Sequence, residues 1–280
     1  MPGVFAHYLL GRNVKAVLPA EDKTILELAE GPFVLGLQGP DFFFFGSVFR
    51  DKTALEFGEK LHQYSGREVI EKMLSPYKDF SGDIVQLPPL LRGYLMGLVG
   101  HFTLDAIAHP YVFSVQKDES HHLALETDFD AHLLREIGEI PWKYKLHKHC
   151  PRDRATLEAA DMAYAPWREE ISRERVEMSV RDMHNLRVLL RAPNVPMYRF
   201  LRFLMKKKGL WGKYFGMLIA PPTRENPDSQ CWTDKPEDYI PTLRQLYTEA
   251  AEMYLDNLIA LDNRIEHGTP LPLFFDHIFA

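Results

Sequence analysis

Cysteine is scarce in this chain: Cys150 and Cys231 are the two it has in 280 residues. Two thiols cannot make a disulfide framework, so a buried core must hold the fold. A long hydrophobic run is missing as well. The most apolar stretch, about Leu95 to Ile107, contains His101 and Asp105 and is too short to span a bilayer. The opening Met1-Pro2-Gly3-Val4-Phe5-Ala6-His7 lacks the basic-then-apolar order of a secretory signal, which makes a cytoplasmic location the expectation. Positive charge is not in excess. A formal net charge of −6 argues against a nucleic-acid partner, because phosphate backbones are held through basic patches. It gives the whole chain no help in adsorbing to anionic lipid either. Alternating strand patterns and internal repeats are both absent.

What is present is an ordinary globular composition, 46% hydrophobic and 26% charged, cut into helical stretches by proline and glycine. The expected fold class is all-α. Thr24-Ile25-Leu26-Glu27 has capping-box form, and Gly31-Pro32 is expected to stop that helix early. Residues 32–50 read as irregular and aromatic, running through Gly39-Pro40-Asp41 into Phe42 to Phe45. A helix from about Asp51 carries Leu55, Leu61 and His62, and Ser65-Gly66-Arg67-Glu68 reads as a fresh start. Pro88-Pro89 opens an apolar helix that Pro110 is expected to end. Further helices are expected over 120–136, 152–164, 167–191, 196–208 and 241–264, with a polar, proline-rich loop between Pro221 and Pro241. Residues 1–280 read as one domain, in which 1–140 form a helical core bearing a metal site and 141–280 add helices that pack on it.

The chemistry is concentrated in the helix that Pro88-Pro89 opens. His101, Asp105 and His109 fall at i, i+4 and i+8, which makes one stripe on one face. Almost everything around them is apolar or glycine. Three polar groups on a helix that wants burial need partners, since each uncompensated one costs roughly 1–3 kcal/mol. A metal cation would satisfy all three. At about 1.5 Å rise per residue the two histidines stand about 12 Å apart, too far to share one ion through bonds of about 2 Å. Asp105 lies midway. The stripe therefore predicts two metals, with that carboxylate between them.

A second set follows in His122 and Glu126, again i and i+4, with Asp130 one turn further on. His109, His122 and Glu126 make the two-histidine, one-carboxylate set that leaves a coordination position for water. His7, Asp41 in the Gly-Pro-Asp turn, and His62 are the scattered remaining candidates. Each alone has a plainer reading: Asp41 as a turn residue, His62 as an ordinary surface or core histidine. Their force is in combination. His147-Lys148-His149-Cys150 lies in a lysine-rich segment with no second half and reads as a solvated loop. The mixed charges from Arg168 to Arg187 read as an exposed, ion-paired face. Phe42 to Phe45 and Phe49 read as core packing behind the Asp41 turn, or as an apolar wall for a lipid. Glu59-x-x-His62 and Glu119-x-x-His122 also fit a di-iron carboxylate bundle, but that reading leaves the central stripe unexplained.

The order His7, Gly39-Pro40-Asp41, His62, then His101-x-x-x-Asp105-x-x-x-His109, then His122-x-x-x-Glu126 resembles the zinc-dependent phospholipase C family. The likeness covers about residues 1–136. Its relatives include phospholipases D that act on glycosylphosphatidylinositol and, more distantly, single-strand-specific zinc nucleases. The resemblance implies an all-helical fold with metals in a cleft, and zinc as the cofactor. It implies Asp41, His62, His101 and Asp105 as ligands of one zinc, His109, His122 and Glu126 as ligands of a second, and His7 joining Asp105 at a third. It further implies hydrolysis of a small-molecule or lipid phosphodiester, with Asp41 orienting or deprotonating the attacking water. A zinc nuclease and a non-catalytic metal-binding descendant are the alternatives. Secreted members use an N-terminal tryptophan at the third zinc where this chain has Met1-Pro2, so two to three ions per chain are expected. The spacing of His109 matches the glycosylphosphatidylinositol-cleaving branch.

Overall fold

The computed structural model describes residues 3–46, 52–224, 226 and 236–279. Met1, Pro2, Phe49 and Cys231, each weighed above, lie outside them. The described chain is all-α, with isolated bridges at Ser65–Ile278 and Lys78–Ile84 and no strand among the described residues. Its helices are α1 (Val4–Val17), α2 (Ala20–Leu28), α3 (Glu30–Gly36), α4 (Phe42–Gly46), α5 (Lys52–Leu61), α6 (Gly66–Leu74), α7 (Pro89–Val115), α8 (Glu119–Glu136), α9 (Arg154–Tyr164), α10 (Arg173–Leu189), α11 (Val195–Lys207), α12 (Trp211–Tyr214) and α13 (Ile240–His267). Among the described residues, no helix is long and apolar enough to cross a membrane.

Helix α7 is the axis of the fold. Nearly every side chain from Leu91 to Asp105 is buried, because α3, α9 and α13 surround it. Two glycines let α3 approach to backbone contact. A Cβ on Gly36 would lie 2.1 Å from the Tyr94 carbonyl, and one on Gly97 would lie 2.1 Å from the Phe33 carbonyl. Helix α13 sends the Tyr254 hydroxyl to the Met96 carbonyl at 2.8 Å and the Asn257 amide to Thr103 Oγ1 at 2.9 Å. Arg264 clips α13 to α6 through Glu71 at 2.7 and 3.0 Å. One continuous core cluster runs from Val4 to Phe279. The α3–α7 crossing matters for chemistry, since it delivers the turn after α3 to His101, one helical turn beyond Gly97. Gly97→Val is expected to lower stability by about 3 kcal/mol or more, since backbone cannot repack around the added methyls. A urea midpoint within error of the wild type would refute that contact.

Several local expectations change. Pro110 does not end α7, which continues to Val115. Proline removes its own N–H bond and crowds the carbonyl four residues back, yet the helix runs on past it with Val112 buried and Phe113 and Ser114 exposed. Thr24 is not a cap. It sits inside α2 and donates to the Ala20 carbonyl at 2.9 Å, while Pro32 lies in the first turn of α3, where its missing N–H costs nothing. Residues 32–50 are not irregular as far as they are described: α3, a 3₁₀ turn at Gly39–Asp41 and α4 occupy them. Phe42, Phe43 and Phe45 are buried as core. The stretch expected as one helix over 167–191 is a 3₁₀ turn at Ala165–Trp167 followed by α10. Ser65 and Glu68 do form a full capping box at α6.

The segment His147 to Cys150 is not a solvated loop. It belongs to a 3₁₀ turn packed on α1, with the His149 ring stacked on Tyr8 at 3.5 Å. Burial holds His149 at about 4, so it stays neutral and accepts the Tyr144 hydroxyl at 2.8 Å. The mixed charges of α10 do pair on its surface, Glu177 taking Arg173 at 2.9 Å and Arg181 at 3.1 Å.

Candidate metal centre

Three groups of histidine and carboxylate assemble along α7. They are His7, His101 and Asp105; Asp41, His62 and His101; and His109, His122 and Glu126, with the potential ligand atoms of each group within 4.8 Å of one another. All eight sequence candidates fall into these groups, and His101 belongs to two of them. Glu59 and Glu119 are exposed and outside all three, which removes the carboxylates that a di-iron reading needs.

Asp105 sits between two imidazoles. Its Oδ1 is 3.2 Å from His7 Nε2 and its Oδ2 is 3.2 Å from His101 Nε2. Those separations suit an ion pair but are not directed as hydrogen bonds. Both oxygens of Asp105 and both ring nitrogens of His101 are buried with no hydrogen-bond partner among the described residues. Native folds rarely leave such atoms orphaned, at roughly 1–3 kcal/mol each. Burial pushes the Asp105 carboxyl up and holds His101 and His109 well below the usual imidazole range. Both histidines are thus neutral and offer lone pairs. A cation fits this donor set, and a proton shared by the cluster does not satisfy four atoms.

The second group is built by the turn after α3. Gly39 has φ of +53°, and a Cβ there would lie 2.1 Å from His101 Cδ2, so the position needs glycine on both counts. That turn brings Asp41 Oδ1 to 3.2 Å from His62 Nε2 and 3.8 Å from His101 Nε2. His62 Nδ1 is 2.8 Å from the Gly58 carbonyl. A carbonyl only accepts, so Nδ1 carries a proton and Nε2 is the ring nitrogen aimed at Asp41. A cation placed between them could take both as ligands. Burial raises Asp41 to about 7, against the lowering effect of the His62 hydrogen bond.

The third group repeats that logic. His122 Nδ1 lies 2.5 Å from Gln116 Oε1, and its Nε2 lies 2.6 Å from Glu126 Oε1. Gln116 thereby orients the imidazole. Phe113, half exposed, stacks on His109 with ring centroids 5.0 Å apart.

The roles of three supporting residues are not visible in the sequence. Gln116 is one. Phe279, near the C-terminus, stacks on His101 at 6.0 Å and stands edge-on to His62 at 6.5 Å. It is held there because Phe279 N donates to the Tyr64 carbonyl and Gly66 N to the His277 carbonyl, both at 3.0 Å. Asp130 continues the His122 and Glu126 face in sequence, but it serves α1. Its carboxylate accepts Phe5 N at 3.0 Å and Ala6 N at 2.8 Å, and burial pushes it to about 7. Capping the first turn of α1 fixes where His7 points. A side chain at Gly3 would collide with that carboxylate at 2.2 Å.

No curated protein and no solved structure matches the chain. The family model described as zinc dependent phospholipase C matches residues 6–186, a span that holds all eight side chains and continues through α9 and most of α10. The resemblance carried by the sequence motifs covers only about residues 1–136. With more than half its length matched, and three histidine–carboxylate groups in place to hold metal, the chain belongs to the zinc-dependent phospholipase C family.

Proposed function

We propose that this protein is a zinc-dependent phosphodiester hydrolase of the phospholipase C type, acting on a small-molecule or lipid phosphodiester. One observation carries the reading: three histidine–carboxylate groups share a single buried helix, and Asp105 and His101 have no other partner for their polar atoms. Zinc bound there would lower the pKa of a coordinated water and offset charge on the phosphoryl oxygens. The residues proposed to hold it are His7, Asp41, His62, His101 and Asp105 on one side and His109, His122 and Glu126 on the other, for two to three ions. His101 and His109 contribute as neutral donors. Asp41 is proposed to orient the water and take its proton, because the turn after α3 holds its carboxyl against His62 and His101. Gln116 and the Gly58 carbonyl keep His122 and His62 turned the right way.

The test is hydrolysis by zinc-loaded protein, with nitrophenyl phosphocholine and phosphatidylcholine assayed beside single-stranded DNA. Turnover of the choline esters is expected, and Asp41→Asn should lower kcat by about 100-fold or more. Full zinc occupancy with no turnover would make the protein a non-catalytic member. Cleavage of DNA alone would make it a nuclease.

A further inference from the structure

The acidic balance of the chain conceals a strongly polarised segment. Between Asp182 and Glu225 there is no aspartate or glutamate, while nine of the chain's 33 lysines and arginines fall there. Helix α11 is the centre of that segment, and it has three faces. Leu201 and Met205 point inward to a small cluster with Ala192 and Leu218. Met197, Phe200, Phe203 and Leu204 point outward, with Phe200 54% and Phe203 62% exposed. Arg199, Arg202 and Lys206 form the third face, Lys207 stands one turn beyond Phe203 on the outward face, and Lys208 follows as the C-cap. Among the described residues none of these five cations is ion-paired with a carboxylate. The Arg202 guanidinium instead lies over the Trp211 ring at 5.4 Å.

We infer that α11 docks this protein on an anionic lipid surface. Aromatic and aliphatic side chains in water, flanked by cations on one short helix, are the elements of a helix that lies in a bilayer interface. The apolar face enters the headgroup boundary, while lysine and arginine stems reach back to lipid phosphates. A second copy of the chain is a poor occupant, because a two-fold contact would set this uncompensated positive face against itself. An apolar cavity of about 230 Å³ lies under the helix, lined by Leu186, Leu190, Leu201, Met205 and Tyr214.

The docking element is also tied to the metal-bearing helix. The Ser120 hydroxyl on α8 donates to the Gly212 carbonyl, and a Cβ on Gly216 would lie 2.7 Å from Ala124 N. The segment after α11 is thus seated on the first turns of α8, beside His122 and Glu126. Docking is independent of the chemistry proposed above, since binding is read without turnover.

Co-sedimentation of the full chain with lipid vesicles tests it. Binding is expected to vesicles of phosphatidylcholine carrying one third phosphatidylglycerol, to weaken in high salt, and to be far lower on phosphatidylcholine alone. Lys206→Gln with Lys207→Gln should reduce affinity for the anionic vesicles about 25-fold, at roughly fivefold per cation. Phe200→Ser with Phe203→Ser should abolish sedimentation while leaving the helical circular dichroism unchanged. Wild-type protein that stays in the supernatant, variants that sediment like wild type, or equal binding to both lipids would each overturn the inference. So would light scattering that shows a dimer dispersed by the phenylalanine changes, without vesicle binding.

Discussion

Asp105→Ala is expected to strip the protein of the zinc held around His7, Asp41, His62 and His101 and to leave the ion at His109, His122 and Glu126 in place. The carboxylate presents one oxygen to His7 and the other to His101, each at 3.2 Å. It is the anionic member of the first group, and His101, which it faces, is shared with the second. Losing it leaves neutral imidazoles facing a dication with less negative charge to offset it, in a site where burial makes uncompensated charge expensive. The third group stands a full turn further along α7 and shares no residue with the others. Mass spectrometry of the intact, zinc-saturated chain should therefore count at least two ions in wild type and one in the variant. Asp105→Asn keeps the volume and should give the same count, which separates charge from packing. Far-ultraviolet circular dichroism should not change, because the deleted group makes no hydrogen bond that the helix needs. An unchanged ion count in Asp105→Ala would defeat the two-sided reading of that residue.

The central stripe was legible because all of it lies on one uninterrupted helix. Spacing of four residues converts directly into a shared face, and the apolar composition around it announced burial. The same reasoning recovered His122 with Glu126 on α8. What spacing could not convey is contact between elements far apart in sequence. Gly36 and Gly97 are separate, unremarkable glycines until α3 and α7 touch through them. Asp130 carried the right periodicity to be read with Glu126, yet it caps α1 because the two helices pack. Phe279 is the extreme case: a nearly terminal phenylalanine becomes a wall of the site through two backbone bonds to the turn between α5 and α6. Pro110 failed differently. A proline predicts a stop, yet α7 runs five residues past Pro110 to Val115, which residue type and spacing do not show. The basic segment after Asp182 was hidden by averaging, since a whole-chain charge of −6 says nothing of how charge is distributed.

Removing zinc is expected to lower the melting temperature strongly near neutral pH and little in acid. Zinc takes Asp41 and Asp105 as carboxylates and the histidines as neutral rings. His101 and His109 are neutral throughout, because burial holds them well below the usual range, so they set no pH dependence in that interval. Asp41, raised to about 7, does. Below that pH its proton competes with the ion, at about tenfold in apparent affinity per pH unit. Two units into acid therefore cost about a hundredfold at that site. The metal-free protein runs the opposite way. A carboxyl whose folded pKa lies above its ordinary value of 3.8 binds more protons folded than unfolded. Its contribution to stability is whole below about 4 and drains away as pH rises through about 7. The two curves must diverge toward neutrality. Zinc at about a hundred times its dissociation constant adds about 2.7 kcal/mol per site, roughly 5–10 °C for a chain of this size. Calorimetry with and without chelator at about pH 5 and about pH 7.5 reads this directly. A chelator effect equal at the two pH values, or larger in acid, would mean that Asp41 is not among the groups the ion must deprotonate.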